Sequence, residues 1–545
     1  TNGCTASGNN SSGTGYGLTF VLFDPQSGMP GIPTPAIYVG VGMTSGTTLY
    51  QSTDAGGTWN AVTGAPGGMM PHHAVLDGCH NLYLAYNNGS GPNGVTAGAV
   101  WRYGTADGAW TNVSPPGSGA GFGFGGISAD AAHPGTLVVT TIDDWADAQS
   151  RIYRTTNGGA SWVSLASGAV WDVAGAQWLY WHTGNLPSRG WMGNVQLDPF
   201  DSSHALFITG QGLWSSDDVT MADSGAATHW SFDDSGLEET VVLDLASPPT
   251  GAPLLSGVGD IGGFKHDDLD VSPASGMFSN PIFGNTTSLD FAEGAPLIVA
   301  RVGTSSSSGG QNGAYSTDGG GSWTPFAGAP AGSTGSGSIA VSADGTTFVW
   351  VPKKGTPSYS QTTATTQPGT TWTASTGLTA GMLVASDRVN ASKFYATGRS
   401  GIFVSTDGGK TFVQASTISS GRPRPVFGIE GDVWVPATSG QLLHSQDSGA
   451  TFPALGAVNG VTAVGFGKPA TLGAYPAVYL AGSVNSAWGL YHSDNATDSA
   501  GATWQHLDDP EHQFGYINCL AGDQNRYGRI YLGTSGRGIV YGDPQ

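Results

Sequence analysis

Short apolar runs alternate with polar positions along nearly the whole chain, and Gly, Asp, Ser and Pro interrupt them every few residues. The segment 18–59 has the form "LTFVLFDPQSG", then "PAIYVGVG", then "TLYQSTDAGGTW". Residues 383–412 repeat the order with "LVASDRVN", "KFYATGRSGIFVS" and "TDGGKTF". Alternating β-branched and aromatic residues between turn residues predict short antiparallel strands. Helical periodicity is almost absent, so the pattern predicts an all-β chain.

One string recurs at the end of these strand sets: "STDAGGTW" at 52, "TTNGGASW" at 155, "STDGGGSW" at 316, "STDGGKTF" at 405 and "SQDSGATF" at 445. Ser and Asp side chains can bond backbone amides in a tight bend, Gly accepts positive φ, and the closing aromatic can wedge between sheets. Catalytic residues are not normally copied into every unit of an array. Asp54, Asp318, Asp407 and Asp447 are therefore expected to be scaffold.

The closing aromatics Trp59, Trp110, Trp162 and Trp230 mark four units before Gly236. After it, a diverged unit, then Trp323, Trp372, Phe412, Phe452, Trp504 and a last strand pair mark further units of about 44 residues, the length of a four-stranded propeller blade. The expected architecture is a tandem of β-propellers: residues 236–545 as a complete seven-bladed propeller, and 1–235 as an incomplete one of about four blades.

Composition narrows the partners. Only 10% of the residues are charged, the net charge is -21, and 12 Arg and 6 Lys supply the positive charge. No patch of that kind neutralises a phosphate backbone or an anionic membrane surface, so neither nucleic acid nor membrane is expected. With 39% hydrophobic residues and 17 Trp the chain has ample material to bury, which argues against disorder. The acidic, Lys-poor, Ser/Thr/Gly-rich composition suggests a secreted, extracellular protein. Cys4, Cys79 and Cys519 have neither disulfide-framework nor zinc spacing. Asp267, Asp268 and Asp270 lack the alternation of a calcium loop, so neither metal nor cofactor is expected.

Longer motifs carry more information than the boxes. "MPHHAVLDGCHNLYLAYNNGSGPNGVTAGAVWRY" at 70, "GWMGNVQLDPFDSSHALFITGQGLWSSDD" at 190 and "GLEETVVLDLASPPTGAPLLSGVGDIGGFKHDDLD" at 236 resemble glycoside hydrolase family 74, the xyloglucanases. The resemblance runs over essentially the whole chain. It implies two seven-bladed propellers facing each other across a cleft, and inverting hydrolysis of the β-1,4-glucan backbone of xyloglucan by two aspartates. The general acid carries over to Asp260 in "GDIGGF". Its partner, the base, belongs to an "R-T-D-x-G-G" string in the first blade of the first propeller, and no such string occurs here. The expectation is that the N-terminal blades bearing it lie on a missing segment or fragment, and that this chain alone binds xyloglucan weakly and hydrolyses it poorly.

The residues around Asp260 suit an acid. Ile261 and Phe264 are expected to enclose the carboxyl in apolar surroundings that raise its pKa, and Gly262 and Gly263 to let a polysaccharide approach the backbone. Glu238 and Glu239 are candidates for binding sugar hydroxyls. Pyranose C–H faces pack on aromatic rings, which makes Trp145, Trp178, Tyr180, Trp181 and Trp191 candidate platforms, whereas Trp59, Trp162 and Trp323 are expected to pack between sheets. Two other functions fit the boxes: a noncatalytic glycan-binding propeller and a sialidase. The second needs an arginine cluster for a carboxylate, and no arginine motif precedes the boxes.

Overall fold

The computed structural model describes residues 17–543 apart from 119–120, 146–150, 177, 182–190, 238–239, 306–309 and 498–500. Two compact units divide the chain, Thr1–Glu238 and Glu239–Gln545. Both are built from small antiparallel sheets of the β-propeller kind. Helix is confined, among the described residues, to Trp178–Trp181 and the 3₁₀ turns Pro25–Ser27 and Val219–Ser224.

Among the described residues the first unit contains four sheets. The first runs in chain order through Leu18–Phe23, Ile37–Val41, Leu49–Ser52 and Asn60–Ala61. The second begins at Met70–Leu76 and the third at Gly123–Ala129. The fourth begins at Asn194–Asp198 and gains an extra strand, Val170–Asp172, lying parallel to His229–Phe232. That addition places Trp171 against Trp230 at 6.0 Å and Trp214 at 5.2 Å, thickening the core of this sheet.

The second unit repeats groups of three or four strands whose first strands pack on one another. Val242–Ala246, first of these, packs against Ile517–Gly522 of the last group, so the inner strands form a closed ring. Gly538 N donates to Thr240 O at 3.0 Å and Asn518 Nδ2 to Val242 O at 3.0 Å across that closure. The core fills the space between successive sheets, with Trp350, Trp434, Tyr395 and Tyr479 fully buried.

The repeated boxes follow the third strand of their groups, and all but the one at Asp447 lead into a fourth. In the first, Ser52 Oγ and Thr58 N donate to Asp54 Oδ1 at 2.8 and 2.7 Å, and Thr58 Oγ1 donates to Oδ2 at 2.7 Å. Asp318 and Asp447 repeat these bonds with Ser322 and Thr451, and Asp407 takes the amide of Thr411. The closing tryptophan then reaches the preceding sheet: Trp110 Nε1 donates to Thr63 O, Trp162 Nε1 to Val113 O and Trp372 Nε1 to Gly328 O, at 3.0, 2.8 and 3.0 Å. Trp323 is buried with the Arg301 guanidinium 4.6 Å above its ring. Trp59 differs from the packing expectation, being 43% exposed. It belongs to the first described sheet, and no preceding sheet is described for it to reach.

Candidate active site

Asp260 stands at the tip of a hairpin. Strands Leu254–Val258 and Gly262–His266 pair from Leu254↔His266 to Val258↔Gly262, leaving residues 259–261 as the connection. Within it Ile261 N donates to Gly259 O at 2.8 Å across Asp260, whose φ is +65°. A turn of this i→i+2 form with a non-glycine residue at positive φ is uncommon and strained, and persists only where its surroundings hold it.

Backbone bonds to and around the turn hold it. Gly259 N donates to Val241 O at 2.9 Å, Gly263 N to Ile261 O at 3.0 Å, and Asp260 N to Asn285 Oδ1 at 3.1 Å. Asn285 comes from the neighbouring strand Phe283–Ala292, and its backbone also bridges Gly262. Sequence reasoning missed this residue, because the 25-residue separation leaves no local signal.

The residues around the turn depart from expectation. Asp260 is exposed and Phe264 is buried beneath the hairpin, so Ile261 and Phe264 do not wrap the acid in an apolar pocket. Gly262 and Gly263 are buried, at φ +79° and +152°. A Cβ on Gly262 would lie 2.9 Å from Phe283 O, and one on Gly263 would collide with Ser256 O. The chain's own carbonyls take the space that the sequence reading reserved for a polysaccharide, so both glycines serve the hairpin. Along its exit strand His266 Nε2 lies 2.9 Å from Ser256 Oγ, and burial pulls the imidazole pKa down to about 4.

The acidic residues beyond the hairpin are engaged locally. Lys265 Nζ reaches Asp267 at 2.7 Å, Asp268 Oδ1 accepts from Asp270 N at 2.9 Å, and Tyr541 OH donates to Asp270. Glu238 and Glu239 lie outside the described residues. So does Cys4, while Cys79 is exposed and Cys519 buried, both as thiols.

In the first unit the aromatic candidates separate into two kinds. Trp145 and Trp191 are 49% and 37% exposed and meet edge to face at 5.4 Å. Trp145 Nε1 donates to Asp143 Oδ1 at 2.7 Å, and Asp143, itself at φ +57°, accepts from Val95 N at 2.9 Å through its other oxygen. Trp191 bridges Ile142 and lies over Gly210, where a Cβ would be 3.0 Å from the indole. The pair is thus a fixed, solvent-facing apolar surface with a polar rim.

The "WLYW" run behaves differently. It folds into the one helical turn Trp178–Trp181, with Leu179 N donating to Ala176 O at 3.0 Å and Leu179 buried. Trp178 packs on the core and on Phe232 at 5.9 Å, so its ring is structural, a correction to the platform reading. Tyr180 is 36% exposed; the side chain of Trp181 lies outside the described residues.

The small antiparallel sheets are of the β-propeller kind, with an exposed aspartate on a strained turn in the second unit and an exposed tryptophan pair in the first. No family model matches the chain. A Paenibacillus xyloglucanase is 40% identical over 566 residues, covering 97% of this chain and 53% of that protein. Xyloglucanase Xgh74A of Acetivibrio thermocellus is 38% identical over 552 residues, covering 97% and 64%. The crystal structure of the GH74 xyloglucanase from Xanthomonas campestris superposes with a TM-score of 0.81 at 37% identity, covering 97% of this chain and 74% of that one. The chain belongs to glycoside hydrolase family 74. It spans about half to two thirds of the length of the two curated relatives just named.

Proposed function

We propose that this chain takes part in hydrolysing the β-1,4-glucan backbone of xyloglucan, with Asp260 as the general acid and inversion at the anomeric carbon. The observation that carries the reading is the Asp260 turn, a strained positive-φ connection pinned by Asn285 that presents the residue to solvent. The names of the family relatives support the substrate. Inversion requires a second carboxylate about 6.5–9.5 Å away, on the far side of a water that it activates. In this reading the substrate lies in a cleft between a propeller formed by 236–545, whose strand groups we read as seven blades, and one to which 1–235 contributes. Trp145, Trp191 and Tyr180 receive sugar faces, with Trp181, Glu238 and Glu239 as further candidates, and the protein acts outside the cell.

The acid role has its own kinetic signature. A general acid protonates the departing oxygen, so its loss matters most when that oxygen is a poor leaving group. Asp260→Asn is expected to suppress hydrolysis of xyloglucan by about 10²–10⁴ while leaving hydrolysis of an aryl glycoside with an activated leaving group much less affected. Equal losses on the two substrates remove the acid assignment. Xyloglucan binding with no turnover even when the N-terminal blades are supplied in cis or in trans supports a noncatalytic glycan-binding propeller instead.

A further inference from the structure

The ring of inner strands in the second unit lines a half-open axial cavity of about 100 Å³. Its wall mixes apolar and polar groups, and three arginines reach it: Arg388, Arg422 and Arg424. The last two come from "GRPRP", where alternation along an extended, proline-stiffened segment turns both side chains to one side.

Two of the three are matched. Arg388 Nη2 donates to Asp290 Oδ1 at 2.8 Å and its Nη1 to Phe291 O at 2.9 Å. Arg422 pairs with Asp244 and donates to Ser288 Oγ at 3.2 Å. The two aspartates have little left to offer, since Asp290 Oδ2 already accepts from Val341 N at 2.8 Å and Asp244 accepts from Leu245 N and Leu289 N at 3.1 and 3.0 Å. The other carboxyl on the wall beside Asp290, Glu293, takes the Gln524 amide at 3.4 Å. Burial raises its pKa, which weakens it as a counter-ion.

Arg424 has no hydrogen bond or ion pair to its guanidinium among the described residues. Burial, and then the like charge of Arg422, disfavour its cationic form. Arg424 is only partly buried, and a guanidinium that faces the cavity without a carboxylate of its own offers a planar fork that matches an oxyanion. We propose that the axial cavity of the second unit binds a small oxyanion, a carboxylate or a phosphate-sized group, with Arg424 as its principal ligand. The site is independent of the hydrolytic reading. Its occupant would neutralise the unmatched cation and tie together the strands that converge on the axis.

Calorimetric titration of sodium sulfate, and separately sodium acetate, into the full chain at constant ionic strength tests the proposal. One saturable site per chain is expected for at least one of the two, weakened by about tenfold or more in a folded Arg424→Met variant. If Arg424→Met does not fold, Arg424→Lys retains the charge but loses the fork, and a several-fold weakening is expected. The absence of a saturable site for both anions on the wild-type chain, or an unchanged affinity in a folded variant, overturns it.

Discussion

The box turns and the Asp260 turn put the same residue type in a tight β-connection to opposite ends. Asp54, Asp318 and Asp407 lie between third and fourth strands and Asp447 follows a third strand, and their carboxylates accept the amides and hydroxyls of their own turns. Asp260 lies between second and third strands, in a turn held through its backbone by Val241 and by Asn285 of the neighbouring strand. A carboxylate used to close its own turn is a structural part. Asp260 is instead an exposed residue at positive φ whose backbone amide is bonded by Asn285 of the next strand.

The strongest way to break this comparison is to exchange the outcomes of mutation. Asp260→Asn is expected to lower xyloglucan hydrolysis by about 10²–10⁴ with little change in melting temperature. A large loss of stability with proportionate loss of activity would make Asp260 another scaffold aspartate.

Acid titration separates the two kinds of turn next. His266, on the strand leaving the Asp260 turn, has a folded pKa of about 4 against an ordinary 6.5. Below 6.5 the unfolded chain binds a proton that the folded chain refuses, so its contribution is complete above that value and is lost as pH falls toward 4. Burial of this size corresponds to about 3 kcal/mol. His266→Gln should flatten the stability profile across that window, as followed by denaturant midpoints. The boxes titrate lower. The bonds from Thr58 and Ser52 hold Asp54 at about 2, below its ordinary 3.8, so its contribution is present above 3.8 and lost as pH falls through about 2.

Asp407→Ala should cost about 1–3 kcal/mol, with xyloglucan-oligosaccharide affinity unchanged within a few-fold. Abolished binding in a folded Asp407→Ala protein would erase the distinction between the turns. The smallest effect is expected at the aromatic surface of the first unit. Trp145→Ala should weaken oligosaccharide binding by about 1 kcal/mol without lowering stability, whereas Trp178→Ala should lower stability first. Paired thermal melts and affinity gels resolve the two.

Period-two alternation and the repeated turn string made the all-β class and the role of the boxes legible, because both are set by residues within a few positions of each other. The string from Ser52 to Trp59 contains every side chain that bonds its turn, although Ala55 N also reaches Pro35 O outside it. The motif around Asp260 likewise marked that hairpin, although its two glycines proved to answer to Ser256 and Phe283 of the same unit.

What depends on distant residues was decided only by the tertiary structure. Asn285 reaches Asp260 across a strand boundary, Trp145 meets Trp191 from separate loops, and Trp178 turns inward because Leu179 and Phe232 complete a core there. The arginines at 388, 422 and 424 form no motif in the chain, yet the closed ring of inner strands brings them to one cavity. Local sequence determines turns and strands because their bonding partners are near in the chain. Burial, charge matching and the pairing of aromatic faces depend on which strands the ring makes neighbours, and that is a property of the closed fold.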